Sequence, residues 1–311
     1  MAAIMRTSSA VILIGSLVLG SSVLLAQRGP IPPPLIKEGV TEKISEHVYV
    51  IPDGDAVLVP NVGIIVGSRG ALVIDSGLGT RNGQTVYREV GKVSKAGELY
   101  IASTHFHPEH DLGAAAFPAS AKMLRSRDQQ ADIDESGAAI TKTFAGFSPD
   151  TAELLKGVEF RKADQLFDKE LTIDLGGVRV RMMAMGRNHT RGDIAFWVEP
   201  DAILFSGDVV MTTMPAFNGS VSSLSTWLQS LNRFEQLKPK RIVPSHRAMG
   251  DASMIARWKT LMTTVQSRAA ELKKQGRTRE DAVKVIQDEL QDRYPRTQLA
   301  GVAAGAYNEA P

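Results

Sequence analysis

The sequence predicts an α+β fold in which two β-sheets pack face to face and helices cover their outer surfaces. Two observations support this prediction. Short apolar segments typical of strands fall into two groups along the chain, and each group is followed by segments whose apolar residues have helical spacing. Hydrophobic residues make up 43% of the 311 residues and charged residues 23%, which is typical of a globular protein with a sizeable core.

The first group of predicted strands lies in the N-terminal half of the chain. These strands cover residues 48–51, 56–60, 62–66, 71–75 and 100–104. A turn signal, Pro52-Asp53-Gly54, separates the first two strands, and a helix is predicted over residues 80–93. The segment 126–164 is more polar and is predicted to be partly helical.

The second group of strands lies between the middle of the chain and residue 243. These strands cover residues 171–175, 178–185, 193–198, 202–205 and 241–243. A helix is predicted over residues 223–237. A further helix is indicated by apolar residues that share one face, namely Met254, Trp258, Leu261, Met262, Val265 and Leu272. Thr278 and Asp281 resemble a capping box that begins the last predicted helix.

The N-terminus has the pattern of an export signal. Arg6 gives a positive start, residues 10–25 are almost wholly apolar, and Ala26 is a suitable cleavage site. We therefore predict a signal peptide over residues 1–26 and an exported protein, either periplasmic or secreted. The alternative is an uncleaved membrane anchor, for which the apolar run is short. The Pro-rich residues 27–40 are predicted to form a linker into a domain that spans residues 41–311.

Composition narrows the partners and the chemistry. The net charge is +2 and no block of Lys or Arg is present, which argues against nucleic acid and favours a small-molecule substrate. The chain contains no cysteine, which excludes disulfides, thiolate metal ligands and cysteine nucleophiles. Any bound metal must therefore be held by nitrogen and oxygen ligands.

Five of the six histidines fall in three short segments, each just after a predicted strand. These segments are residues 104–111 (THFHPEHD), 186–190 (GRNHT) and 244–246 (PSH). Imidazole nitrogens suit zinc, and loops that leave buried strands can direct several ligands to one point. An extended backbone would direct His105 and His107 to the same side, and Glu109 and His110 could then address a second metal. His47 stands alone and is interpreted as a structural residue.

The chain resembles the metallo-β-lactamase superfamily in five blocks that follow the family's order. The first histidine segment resembles the His-x-His-x-Asp-His signature of that family. The other blocks are residues 72–77 (LVIDSG), 186–193 (GRNHTRGD), 204–208 (LFSGD) and 243–246 (VPSH). The resemblance implies a four-layer αββα sandwich with a two-metal site along one edge of the sheets.

The resemblance also implies a ligand set and two zinc ions per chain. The first zinc would be held by His105, His107 and His189, the second by Glu109, His110 and His246, and Asp208 would bridge them. Asp75 is interpreted either as a residue that orients a ligand or as a turn residue. Position 109 departs from the signature, because Glu109 stands where the family has aspartate. The longer side chain leaves open whether the site holds one metal ion or two.

The predicted function is that of a zinc-dependent hydrolase, in which a metal-bound hydroxide opens a small ester, lactone, thioester or lactam. Glu109 is the predicted catalytic residue, which would hold or relay a proton. Asp208 stands where some lactamase classes have cysteine, so the chain is more similar to the thioesterase, lactonase and general hydrolase branches. Ser76 and Ser206 precede glycines but lack the Gly-x-Ser-x-Gly elbow, which argues against serine catalysis.

Two other functions stay open on the sequence. One is a mononuclear iron oxygenase on the same fold, similar to the sulfur dioxygenases, and the other is a metal-binding protein without turnover. The segment after Asp208 has two interpretations as well. Its Met211, Met214, Phe217 and Asn218 would either cover an apolar group of the substrate or pack in the core.

Overall fold

The structure is a computed structural model that describes residues 32–214, 216–295 and 297–311. The predicted signal peptide, residues 1–26, lies outside the described residues, as do residues 27–31 of the predicted linker. Contacts group residues Pro34–Pro311 into one unit. Within the described ranges, no helix combines the length and the apolar character needed to cross a membrane.

The first sheet contains seven strands that lie in sequence order. They are β1 (Glu42–Lys43), β2 (Val48–Ile51), β3 (Val62–Val66), β4 (Gly70–Ile74), β5 (Glu98–Ala102), β6 (Lys122–Ser126) and β7 (Gln165–Phe167). Neighbours from β1 to β4 are antiparallel, and those from β4 to β7 are parallel. Tight turns suffice for the antiparallel pairs, whereas each parallel pair requires a crossover segment.

The second sheet contains five strands in the order β12-β11-β10-β9-β8. They are β8 (Glu170–Asp174), β9 (Arg179–Gly186), β10 (Asp193–Val198), β11 (Ile203–Gly207) and β12 (Arg241–Pro244). The strands from β8 to β11 are antiparallel, and β12 pairs with β11 in parallel.

Helices cover the outer face of each sheet and complete four layers. The described residues contain α1 (Gly79–Val93), α2 (Pro108–Asp111), α3 (Arg127–Ala145), α4 (Pro149–Leu155), α5 (Leu224–Leu237), α6 (Ser253–Lys274), α7 (Arg279–Leu290) and α8 (Leu299–Glu309). Val86 of α1 joins Val73 and Ile101 in an apolar cluster on the first sheet. Trp227 of α5 and Trp258 of α6 belong to the corresponding cluster on the second sheet. The predicted αββα sandwich is therefore confirmed.

The inner faces of the two sheets share one apolar core. Leu72 and Ile74 from the first sheet and Phe196 and Phe205 from the second are almost fully buried in it. The sheets approach closely at Gly63, where a Cβ atom would lie 2.4 Å from the Phe205 ring. Only glycine permits this approach, as is common where another element crosses a strand closely.

Some predicted elements differ from the observed ones. Residues 56–60 form turns rather than a strand, because Asp55 and Leu58 have left-handed φ values of 57° and 60° that interrupt an extended chain. The strand predicted over 100–104 ends at Ala102, since the Thr104 N–H donates to the Asp75 side chain instead of a neighbouring strand. Five observed elements were not predicted from the sequence, namely β1, β6, β7, α2 and α8.

Residues 34–40, at the end of the predicted linker, lie against α1. The backbone N–H of Ile36 donates to Asn82 Oδ1 at 2.8 Å, and that of Gly39 donates to Glu89 Oε1 at 2.9 Å. The boundaries of the linker stay a prediction.

The ends of five strands bring the predicted metal ligands to one edge of the sandwich. β4, β5, β9, β11 and β12 each end just before one of the chemically important segments. The parallel register pairs Ile74 with Ala102 and Gly207 with Pro244, so the following loops leave the sheets side by side. Loops at such an edge are well placed to carry a site on a rigid scaffold.

Candidate metal centre

His105, His107 and His189 form the first cluster, called here the three-histidine cluster. His107 Nδ1 lies 3.0 Å from His105 Nε2 and 3.3 Å from His189 Nε2. Ligand nitrogens around a tetrahedral zinc, with Zn–N bonds of about 2.0–2.1 Å, lie roughly 3.3 Å apart. These two distances match the spacing of a zinc site, and all three ligand atoms lie within 4.8 Å of one another.

Glu109, His110 and His246 form a second cluster, called here the Glu109 cluster. One ligand atom from each lies within 4.8 Å of the others, and Glu109 Oε1 is 3.6 Å from His110 Nε2. Pro108 occupies the first turn of α2, where proline is favoured, and α2 turns Glu109 and His110 inward.

Asp208 lies between the two clusters. Its Oδ2 atom is 3.7 Å from His189 Nε2 of the three-histidine cluster. Asp208 also groups with His105 and His110, with ligand atoms within 4.8 Å of one another. The structure thus brings all seven predicted ligands together, and Asp208 is placed where a bridging ligand would be.

Several polar atoms in these clusters fit a cation. Glu109 Oε2, His110 Nε2 and Asp208 Oδ1 are buried, and no side chain or backbone group in the described ranges forms a hydrogen bond with them. Buried polar atoms without partners are rare and destabilising in folded proteins. These nitrogen and carboxylate donors form the ligand set that zinc prefers, so the residues fit this metal.

Backbone carbonyls fix the orientation of two histidine ligands. His189 Nδ1 donates to the carbonyl oxygen of Ala216 at 3.0 Å, and His246 Nδ1 donates to that of Val59 at 2.9 Å. A carbonyl oxygen can only accept, so Nδ1 carries the proton in both rings. The Nε2 lone pairs are then free for a metal, as is usual for ligand histidines.

Asp75 organises the residues beneath the Glu109 cluster. Its Oδ2 accepts from His110 Nδ1 at 2.9 Å, from Thr104 Oγ1 at 3.1 Å and from Ser245 Oγ at 3.1 Å. Asp75 itself has a φ of 63°, an unfavourable conformation for a non-glycine residue that is often found at functional sites. The contact with His110 Nδ1 supports the interpretation of Asp75 as a residue that orients a ligand.

Asp193 orients the loop that carries His189. No role was predicted for this residue from the sequence. Its carboxylate accepts from the backbone N–H groups of His189 at 2.6 Å and Thr190 at 3.0 Å, and from the Thr190 hydroxyl at 2.8 Å. Burial raises the pKa of the Asp193 carboxyl to about 7. The sequence feature that could have indicated this role is the aspartate four residues after the ligand histidine.

The electrostatics of the clusters combine a neutral histidine with an ionised carboxylate and a histidine whose protonated form is favoured. Burial lowers the pKa of His107 to about 3, so its imidazole is neutral at physiological pH. Burial also lowers the pKa of His110, but the Asp75 and Glu109 carboxylates outweigh burial and hold that pKa well above its usual value. Burial raises the pKa of Glu109, yet His110 outweighs it and lowers the pKa to about 2. The Asp75 and Glu109 carboxylates thus favour a positive charge beside His110.

A cleft of about 610 Å³ opens beside the three-histidine cluster. The cleft is lined by His107 and His189, by residues of α3, and by residues 216–221. Asn218 lines this cleft. Three other residues of the same segment pack in the core instead, namely Met211, Met214 and Phe217.

Comparison with known proteins identifies the family. The model of the metallo-beta-lactamase superfamily matches residues 55–246, which is more than half of the chain. The chain belongs to this superfamily. The resemblance seen in the sequence is therefore confirmed, as is the prediction of an enzyme of its metal-dependent hydrolase class.

Individual relatives of the superfamily are similar over much of the chain. The acyl-coenzyme A thioesterase MBLAC2 of Gallus gallus is 27% identical over 219 residues, which cover 63% of this chain and 76% of the relative. A metallo-beta-lactamase family protein from Thermus thermophilus has a TM-score of 0.59 at 17% identity, covering 85% of this chain and 93% of its own. At this identity, the likeness to the Thermus thermophilus protein shows only that the two chains share a fold.

The sec-alkylsulfatase Pisa1 from Pseudomonas sp. is also similar in fold. Its TM-score is 0.69 at 14% identity, and the match covers 86% of this chain. The match covers 49% of Pisa1, so this chain spans about half the length of that protein.

Glu109 departs from the signature of the superfamily, and its role as a metal ligand can be tested by substitution. The Glu109 carboxylate already lies within 4.8 Å of the ligand atoms of His110 and His246. Glu109→Asp therefore withdraws the carboxylate by about one C–C bond, roughly 1.5 Å. We expect Glu109→Asp to weaken the second zinc equivalent about tenfold and to lower turnover. Zinc stoichiometry under chelator competition measures this effect.

The control for this substitution is Glu89→Asp, which shortens another buried glutamate. Glu89 lies in α1 and binds Gly39 and Lys92, away from the metal ligands. This variant is expected to lose some stability and to keep its zinc content. Unchanged zinc content and unchanged turnover in Glu109→Asp would remove Glu109 from the ligand set.

Proposed function

We propose that this protein is a zinc-dependent hydrolase with two metal ions, and that it cleaves a small ester, thioester, lactone or lactam. The observation that carries the proposal is the convergence of two ligand clusters, joined by Asp208, beside a cleft that His107 and His189 line. Bound zinc ions lower the pKa of water from about 15.7 towards neutrality and polarise a carbonyl group. No serine or cysteine nucleophile is then needed.

Glu109 is the residue best placed to handle a proton. Its pKa of about 2 keeps the side chain ionised and able to accept. Glu109 Oε1 lies 3.6 Å from His110 Nε2, and the buried Oε2 atom has no hydrogen-bond partner among the described residues, so it could accept a proton from the attacking or leaving group. His107 and His189 face the cleft, so a substrate carbonyl would enter from that side.

The shape of the cleft supports an acyl substrate with an apolar part. Phe106, Ile140 and Val221 line it close to the metal ligands, and they would contact the acyl group. The thioesterase relative favours a thioester as the first member of the substrate class to test. Arg191 also lines the cleft, but Asp132 and Glu135 pair with it at 2.6 and 2.5 Å.

The test is a substrate panel with matched acyl groups. Zinc-loaded protein should hydrolyse chromogenic thioesters, and also esters, lactones or lactams at its own relative rates. Removal of zinc by a chelator should abolish turnover, and added zinc should restore it. Absence of turnover across the panel would contradict the hydrolase proposal, and iron-dependent consumption of O₂ with a sulfur-containing substrate would favour an oxygenase-type centre instead.

Two neighbouring alanines of α3 allow the cleft itself to be tested. Ala139 lines the cleft, whereas Ala138 is exposed and does not line it. Ala139→Trp would fill part of the cleft and should raise KM at least about tenfold with zinc content unchanged. Ala138→Trp should leave KM near the wild-type value. Equal KM values for both variants would place substrate binding elsewhere.

A further inference from the structure

Asn61 holds the loop that carries the metal ligand His246. It lies just before β3 and is only 3% exposed. Its side-chain amide donates to the carbonyl oxygens of Pro244 at 2.9 Å and Arg247 at 2.8 Å. Its backbone N–H donates to the carbonyl oxygen of Ser245 at 2.6 Å. One buried residue therefore contacts the loop on both sides of His246.

The residues around Asn61 complete this set of contacts. Val59 accepts the Nδ1 proton of His246 at 2.9 Å, and Asp53 Oδ2 accepts from the backbone N–H of Arg247 at 2.7 Å. The Asp53 N–H donates to Asn61 Oδ1 at 2.9 Å. Both amide hydrogens and the amide oxygen of Asn61 are thus engaged, and an aspartate or alanine cannot reproduce this pattern.

The loop needs such support because its backbone is unfavourable. Arg247, directly after His246, has a φ of 71°, in the left-handed region that residues with a Cβ rarely adopt. Its N–H binds Asp53 and its carbonyl oxygen binds Asn61, so both contacts stabilise this conformation.

We propose that Asn61 is a positioning residue for the second metal ion, because it fixes the direction in which His246 Nε2 points. This inference rests on the proposed two-metal function. Groups that orient metal ligands through hydrogen bonds typically contribute about 10- to 100-fold in metal affinity. Asn61 acts through the backbone on both sides of the ligand, whose ring the Val59 carbonyl binds.

The main experiment is the substitution Asn61→Asp, which keeps the size of the side chain but replaces its two amide donors with an oxygen. That oxygen would face the carbonyls of Pro244 and Arg247. Affinity for the second zinc equivalent should fall about 10- to 100-fold, whereas the first equivalent should bind as in the wild type. Competition with a chromogenic chelator measures both equivalents. Asn61→Ala, which adds no charge, gives the same readout if the aspartate variant does not fold.

Asn82 provides a matched control. It is 1% exposed, accepts from the Ile36 N–H at 2.8 Å, and donates to the carbonyls of Pro34 at 2.9 Å and Leu78 at 2.8 Å. This is the same three-bond amide pattern, and none of these partners is a metal ligand or its neighbour. Asn82→Asp should lower the melting temperature as Asn61→Asp does and should keep both zinc equivalents.

The outcomes separate this inference from the proposed function. Wild-type affinity for the second zinc in Asn61→Asp, or an equal loss in Asn82→Asp, contradicts the positioning role. If wild-type protein binds a single zinc, the two-metal proposal fails, and NMR of ¹⁵N-labelled histidine then decides the role of Asn61. The His246 Nδ1–H signal, assigned by its absence in His246→Ala, should shift in Asn61→Ala and stay unchanged in Asn82→Ala. An unshifted signal overturns the inference.

Discussion

The double variant His105→Ala/His107→Ala is expected to lose the metal ion of the three-histidine cluster and at least about 10³-fold in hydrolysis. The substitutions remove two of the three nitrogens of this cluster and leave His189 as its one remaining histidine. A metal that polarises a carbonyl contributes several kcal/mol to transition-state stabilisation, and each 1.36 kcal/mol is tenfold in rate. Elemental analysis and turnover of the best substrate measure the two losses.

The control for the double variant is His47→Ala. His47 is the one histidine outside the clusters, and its Nδ1 atom pairs with Asp201 Oδ2 at 2.8 Å. This contact supports its interpretation as a structural residue. His47→Ala should lower stability and keep zinc content and turnover. Full zinc content in the double variant would contradict the assignment of the cluster.

The second large effect is expected for Asp75→Asn, which puts an amide NH₂ where the carboxylate accepts several hydrogen bonds. His110 Nδ1, Thr104 Oγ1 and Ser245 Oγ all point to Asp75 Oδ2, so an amide nitrogen there leaves buried donors facing a donor. We expect a loss of about 3 kcal/mol in unfolding free energy and a 10- to 100-fold weaker second zinc equivalent. Denaturant unfolding and chelator competition measure these quantities.

Asp174 offers a control because it is an aspartate with only a turn role. It is largely exposed, accepts from the Gly176 N–H at 2.8 Å and pairs with Arg69 at 3.0 Å. Asp174→Asn should change the unfolding free energy by no more than about 0.5 kcal/mol and leave zinc binding intact. If Asp75→Asn behaves like Asp174→Asn, then Asp75 is a turn residue and does not orient His110.

The sandwich could be predicted because its strands have strong local signals. The segment of β4 is apolar along its whole length and that of β10 is apolar after Asp193, as strands buried on both faces usually are, and both were predicted. In contrast, β6 carries Lys122 and Arg125, and its position depends on pairing with β5 and β7. Helix α8 is rich in alanine and contains two glycines, which approach Phe217 closely. These elements are stabilised by contacts between residues that lie far apart in the sequence. Such contacts cannot be identified from a single sequence.

In the candidate site, the metal ligands could be predicted from the sequence, whereas most of the residues that orient them could not. The seven ligand residues could be listed from the sequence because their types and spacing are local properties of four short segments. The residues that orient them act over long sequence distances, as when Asn61 binds the carbonyl of Pro244, 183 positions away. Backbone carbonyls such as that of Val59 have no sequence signature at all. The side chains that position ligands therefore became visible only in the folded structure.

X-ray diffraction from crystals of the zinc-loaded protein, measured on both sides of the zinc absorption edge, tests the two-metal site most directly. The account predicts two anomalous peaks that disappear below the edge. One should lie between His105, His107 and His189, and the other between Glu109 and His246, with Asp208 reaching both. A single peak in the three-histidine cluster would contradict the two-metal proposal, and no peak in either cluster would contradict the metal site itself.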